Sequence, residues 1–293
     1  MVILIMLACQ PSMAKAFEIA IVKSNHSKPF DIFIEGFRHA LPSSELHIKS
    51  INNDEALGRS ILNKLSENPK IDIILTLGSK ASWLARNISN KPVLFSMLSN
   101  PGRYQLNNTP GVLINVPYQD YLKQNKTLLP RVQNIGVLYS AQQQKLLEEI
   151  KQYASDKGLH LNGYQIDGLK DIAHATDTLL RHNDALWLIS DPVVTRSPRI
   201  IKDIIILKAV QQHIPIIGLN KWSVVNGALY CLSTDYTSLG TQSAKMVQRI
   251  LAGEKRIGHE AGKDIKVFVN NHIYETLSTT TKITLPTRSY LLR

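Results

Sequence analysis

The sequence predicts an α/β protein of two Rossmann-like lobes with parallel sheets, joined by a hinge that the chain crosses several times. Three observations carry this. Short runs that are apolar at nearly every position recur along the chain, as the strands of a sheet covered on both faces require. Stretches of helical length and amphipathic pattern alternate with them. The β-α pattern then restarts near Asn115-Val116-Pro117, dividing the chain into two similar halves. With 293 residues there is room for two domains of roughly 100–200 residues each.

The elements follow in order. Residues 1–16 (MVILIMLACQPSMAKA) read as a secretory signal, because an apolar run leads to the small-x-small pattern Ala14-Lys15-Ala16. A competing reading makes Met6-Leu7-Ala8-Cys9 a lipid-attachment box with Cys9 as the anchor. Residues 17–22 form the first strand, followed by a polar loop containing Asn25. Pro29 suits the first turn of a helix over 30–41, with Phe30, Phe33, Ile34, Phe37 and Leu41 on one face. Residues 46–51 alternate as strand two, and Asn53 or Asp54 caps a helix ending near Ser66. The stretch 71–102 (IDIILTLGSKASWLARNISNKPVLFSMLSNPG) supplies a buried strand, a small polar turn, a short helix, a second buried strand and a second polar turn. Strand five covers 111–116. Beyond it come a helix over 118–129, a strand over 134–139, a helix over 142–156, a strand over 159–165 and a helix over 169–181. A strand over 185–189 leads through Ser190-Asp191-Pro192 into a long apolar helix reaching about His213. Strands at 214–218 and 228–233, a helix over 235–251, a late strand at 266–269 and a short helix at 273–278 complete the chain. The expected lobes are 17–115 with 236–257, and 116–235 with 258–293.

Composition narrows the function. Hydrophobic content of 44% and charged content of 19% supply an ordinary packed core. The net charge of +11 comes from 34 basic and 23 acidic residues, which are spread along the chain without a basic run. A solvated basic surface is the preferred reading over nucleic-acid binding. The two cysteines, Cys9 and Cys231, make no disulfide framework, and Cys231 sits in the apolar run ALYCL. The nine histidines show no i,i+4 pair, so neither a metal site nor a cofactor is expected. Phosphate-loop, dinucleotide and nucleophile-elbow motifs are missing, which argues against an enzyme.

Ligands of open α/β sheets bind beyond the carboxyl ends of the strands, so the polar turns there are the candidate site. Ser79 and Lys80 stand at a strand-to-helix turn where N–H groups favour anions, although Ser79 also fits a plain cap. Ser99 and Asn100 follow the next strand, and Ser140 takes the equivalent place in the second half. Asp191 and Asp235 fit either a bond to a ligand ammonium or a cap. Phe30 and Trp222 are the choices for a ring stacked on the ligand, with Asn220 beside Trp222 as a polar contact. Phe30 also fits the core, because it shares a helix face with Phe33 and Phe37.

Six segments in sequence order resemble one family. Residues 73–82 (IILTLGSKAS) are similar to its I-x-A-x-G-T-P-A turn, and 92–101 (PVLFSMLSNP) to its P-I-V-F-x-x-V-x-D-P. Gly111-Val112 with Pro117 resembles its T-G-V-x-x-x-x-P crossover. Residues 128–140 (LLPRVQNIGVLYS) resemble its L-x-P-x-x-K-x-I-G-V-L-Y-N, and 226–240 (NGALYCLSTDYTSLG) its G-A-L-A-x-x-x-x-D-Y-x-x-L-G. Residues 271–286 resemble its terminal N-x-x-x-A-x-x-L-x-x-x-x-P. The family is the periplasmic substrate-binding proteins of ABC transporters, in the branch associated with tryptophan and tyrosine uptake. The chain departs from it where Asn100 replaces an Asp, Ser79-Lys80 a Thr-Pro, and Ser140 an Asn. The resemblance implies a type I periplasmic-binding fold, a monomer, and a small polar ligand such as an amino acid captured between the lobes. It also implies hinge closure and delivery to a membrane permease. The alternative is a periplasmic sensor that signals to a histidine kinase or cyclase.

Overall fold

The computed structural model describes residues 16–287 and 289–292. The cleavage-signal reading of the first residues and the lipid-anchor reading of Cys9 lie outside the described residues. The described residues form two compact units: those up to Ile114 with Tyr236–Gly262, and Asn115–Asp235 with those from Lys263 onward.

The first unit opens with β1 (Glu18–Lys23), α1 (Lys28–Ala40), β2 (Glu45–Ser50), α2 (Glu55–Glu67), β3 (Ile73–Leu77), α3 (Ser79–Ala85), β4 (Val93–Leu98) and β5 (Gly111–Leu113). Pro29 lies in the first turn of α1, where its missing N–H has no helical partner to lose. Asp54 caps α2 by accepting the Leu57 N–H at 2.9 Å.

The second unit continues with α4 (Tyr118–Leu128), β6 (Asn134–Tyr139), α5 (Gln144–Ser155), β7 (His160–Gln165), α6 (Ile172–His182) and β8 (Ala185–Trp187). Next come α7 (Pro198–Ile200), a π turn (Ile201–Ile206), α8 (Leu207–Gln211), β9 (Ile216–Gly218), α9 (Lys221–Val225) and β10 (Tyr230–Thr234). The chain returns to the first unit for α10 (Tyr236–Leu251) and β11 (His259–Ala261). It ends in the second with β12 (Ile265–Asn270), α11 (Asn271–Leu277) and β13 (Ser289–Leu292).

The described residues make a six-stranded sheet of order β11-β5-β4-β3-β1-β2 and a seven-stranded sheet of order β13-β12-β10-β9-β8-β6-β7. Every pairing in the first is parallel. In the second, β12 runs antiparallel to β10, and β13 follows β12. The expected α/β class of two parallel-dominated sheets is what the protein has. Alternation explains the apolar runs. In β1, Ile19 and Ile21 face one core while Ala20 and Val22 face another. In β10, Tyr230 and Leu232 pack on one side and Cys231 on the other. Each fully buried Ile or Leu contributes about 1.5–3 kcal/mol of transfer free energy, so neither face is left to water.

Three details differ from expectation. Residues 258–262 stay with the first unit, because β11 pairs with β5 and His259 Nε2 lies 3.1 Å from the Leu106 and Thr109 carbonyl oxygens. The long helix begins at Pro198, not after Pro192, with Ser197 accepting the Ile200 N–H as its cap. It widens into a π turn before α8, keeping Ile201, Ile205, Ile206 and Ala209 buried. Among the described residues no helix is long and apolar enough to cross a membrane.

Candidate functional site

In the first sheet the strand order reverses between β1 and β3, and the loops at their carboxyl ends form the crevice where open α/β sheets bind ligands. Ser24 ties these loops together. Its Oγ donates to the Leu77 carbonyl at 2.9 Å and accepts the Ala81 N–H at 3.0 Å, while its own carbonyl accepts from Asn53 N at 2.6 Å. Asn25 follows directly. Its Oδ1 is enclosed and has no hydrogen-bond partner in the protein. An unmet buried acceptor costs about 1–3 kcal/mol, which a ligand donor would recover. Across the crevice Gly78 holds φ +84, and a Cβ there would fall 2.8 Å from Phe30 Cζ and 2.9 Å from Ser24 Oγ. Only glycine fits this turn. Phe30 thus packs on the turn from the core, 8% exposed, rather than offering a free ring face. Gly78 takes the cap position and the partly exposed Ser79 begins α3.

Lys80 turns to the neighbouring helix. Its Nζ lies 2.9 Å from Glu55 Oε2 and 4.8 Å from the Trp83 ring centre. Lys80 and Arg59 together hold the Glu55 carboxyl below the usual carboxylate range. Ser99 and Asn100 are exposed at the end of β4, and Asn100 Oδ1 accepts the Arg103 N–H at 3.1 Å, a turn cap.

In the second sheet the reversal falls between β6 and β8. Here Ser140 and Asp191 meet directly. Asp191 Oδ2 accepts the Ser140 N–H at 2.7 Å and its hydroxyl at 2.8 Å, while Oδ1 accepts Val193 N at 2.8 Å and Val194 N at 3.0 Å. Asp191 is wholly buried, and its carboxylate braces two strand-end loops. Past the ends of β8 and β9 a cavity of about 240 Å³ is walled by Leu188, Pro198, Ile201, Leu219 and Trp222, with Thr195, Asn220 and Ser223 as its polar rim. Asn220 caps α9 by accepting Ser223 N at 3.1 Å, which leaves Trp222, 41% exposed, leaning on the cavity. Asp235 pairs with Lys266 at 2.7 Å and raises the Lys266 pKa.

The structure therefore brings Asn25, Phe30 and the Gly78-Ser79 turn together, joins Ser140 to Asp191, and sets Asn220 and Trp222 on one cavity. Sequence reasoning missed Ser24, Thr195 and Ser223. Ser223 alone left a signal, as the third helical position after a cap-type Asn.

Residues 18–288 match the sequence profile of the family described as ABC transporter substrate binding protein, and the chain belongs to that family. It is 25% identical over 257 residues to an uncharacterised protein of Rickettsia prowazekii, covering 85% of this chain and 81% of that one. It is 23% identical over 222 residues to the tyrosine-binding protein of Clostridioides difficile, covering 72% of this chain and 63% of that relative. Among solved structures it resembles the ligand-free, open form of CD0873, a substrate-binding protein with adhesive properties from Clostridium difficile. The TM-score is 0.79 at 22% identity, over 95% of this chain and 99% of that one. It also resembles a Streptococcus pneumonia ABC domain in complex with L-Trp, with TM-score 0.61 at 20% identity, over 95% and 100%. At these identities the structural likenesses establish a shared fold, the type I periplasmic-binding fold.

Proposed function

We propose that this chain is the extracytoplasmic solute-binding component of an ABC importer. In this reading it captures an amino acid or a similarly small polar molecule on its strand-end loops and presents it to a membrane permease, without chemical conversion. Residues 1–16 serve as the export signal. Support comes first from the family match over residues 18–288. It comes also from the relatives, one named as tyrosine-binding and one solved with L-Trp. The observation that carries the reading is the enclosed, unpartnered Oδ1 of Asn25 at the β1–β3 reversal. A ligand ammonium or amide N–H is the donor that this acceptor lacks.

The test is a thermal-shift screen of the chain against the common amino acids, with nucleosides and sugars as comparison sets. A true ligand at about 100-fold its Kd adds roughly 2.7 kcal/mol, a shift on the order of 4 °C for a chain of this length. The expected result is a shift from one or a few amino acids, weakened about tenfold in affinity by Asn25→Ala. A shift from sugars or nucleosides alone overturns the ligand class. Turnover of any screened compound overturns the binding role.

A further inference from the structure

Alternation along a strand sets Glu45 and His47 on one face of β2, the edge strand of the first sheet. The parallel register places Glu18 opposite Glu45 and Ala20 opposite His47, so Glu18 shares that face. The outcome is a tight convergence. His47 Nε2 lies 2.5 Å from Glu18 Oε2 and 3.9 Å from Glu45 Oε1. One donor atom from each of the three residues lies within 4.8 Å of the others. A single imidazole nitrogen thus faces two carboxylates. The backbone beneath is pinned, with Glu18 N donating to Asp72 Oδ2 at 2.9 Å and Glu45 N to the Phe17 carbonyl at 2.8 Å. The cluster sits at the amino ends of β1 and β2, the opposite end of the sheet from the loops of Ser24 and Gly78.

We propose that Glu18, Glu45 and His47 form a binding site for a divalent transition-metal ion of the Zn²⁺ type. Carboxylates alone attract hard cations such as Ca²⁺ and Mg²⁺. The imidazole nitrogen adds the donor that Zn²⁺, Co²⁺ and Ni²⁺ prefer. Zinc bonds of about 2.0–2.2 Å in a tetrahedron hold neighbouring donor atoms about 3.3 Å apart. Accepting the ion then needs the Nε2–Oε2 pair to open by about 0.8 Å and Glu45 to close by about 0.6 Å. Side chains with 34%, 32% and 69% exposure for His47, Glu18 and Glu45 have that freedom. Three protein donors leave a fourth position for water or an external ligand. The i,i+4 histidine spacing that the sequence lacks is the signature of a site on a helix, and it does not bear on ligands carried by paired strands. These ligands come from two strands whose register brings together residues 29 apart.

The test titrates zinc chloride into the metal-free full chain by calorimetry, paired with thermal melts with and without zinc. Saturable uptake of one ion per chain is expected, weakened at least about tenfold in Glu45→Gln and in His47→Gln. His39→Gln, on the exposed side of α1, is expected to leave uptake unchanged. Glu45 is the most exposed of the three, so Glu45→Gln should melt like the parent chain without metal and still lose the zinc-induced rise in Tm. No saturable uptake by the parent chain overturns the proposal. So does uptake that either Glu45→Gln or His47→Gln leaves undiminished.

Discussion

Asp191 carries two meanings in the sequence, because an acid before a proline suits both a helix cap and a ligand ammonium. Its surroundings decide. A carboxylate has about four acceptor positions, and Ser140 N, Ser140 Oγ, Val193 N and Val194 N occupy four within the second unit. Asp191→Ala would strand several buried donors and is expected to lower urea stability by roughly 3 kcal/mol, against about 1 kcal/mol for Ser140→Ala. Equal urea midpoints for Asp191→Ala and the parent chain would sink the brace. Asn100 and Asn220 turned out likewise, as caps. Cap and ligand contacts draw on the same residue types, and the partner that separates them stands, for Asp191, 51 positions away. The neighbourhood of Cys231 gives a second expectation. Burial pushes this thiol up to about 12 and raises the Tyr121 and Tyr230 phenols above their ordinary value. A proton-binding group whose folded pKa is raised stabilises fully below its unfolded value, near 8.5 for a thiol, and loses that contribution as pH climbs towards the folded value. The urea midpoint should therefore fall steadily above about pH 9, less steeply in Cys231→Ala. Native protein at pH 8 should leave Cys231 unmodified by a thiol reagent until it unfolds.

Elements were legible where their apolar pattern was long. The strands β1, β3, β4 and β6 and the helices α1, α2, α5 and α10 carry periods that read directly, because each lays several regularly spaced apolar side chains against a core. β11 is three residues, His-Glu-Ala, with no apolar run, and is a strand only because β5 lies alongside. β13 is an edge strand with Tyr290 and Leu291 about half exposed, so its alternation is weak. The contact of α1 with α10 was invisible for another reason: it depends on what is missing. A Cβ on Gly36 would stand 2.1 Å from the Thr237 carbonyl oxygen, and one on Gly240 2.1 Å from the Phe33 carbonyl oxygen. The two backbones touch, and Thr241 Oγ1 donates to the Gly36 carbonyl at 3.3 Å. Gly240→Ala should force the helices apart and lower stability by about 1–3 kcal/mol, although alanine is the better helix former by about 1 kcal/mol. A rise in Tm for Gly240→Ala would show that helix propensity wins over the close approach.

At the scale of the whole chain, the split into two β-α series was legible because strands buried on both faces are nearly all apolar, and Pro117 marks the restart. The second return was harder to place. Residues 258–262 carry no pattern that assigns them to either sheet, and only the pairing of β11 does so. The consequence is that the first unit is discontinuous in sequence yet has its own cores. Leu239, Ala244, Met246 and Val247 of α10 pack with Phe33, Phe37, Leu75 and Leu94, and Ile114 and Tyr236 flank the same cluster. A short Gly/Ser linker from Ile114 to Tyr236 should therefore yield a chain of residues 16–114 and 236–262 that folds alone. Its thermal melt, followed by far-UV circular dichroism, should be cooperative. The fragment 16–114 by itself lacks α10 and β11, exposes the apolar face of α1, and should show no cooperative melt. If 16–114 melts as sharply as the linked chain, α10 adds nothing to that core. If neither melts cooperatively, the first unit depends on contacts outside its own residues.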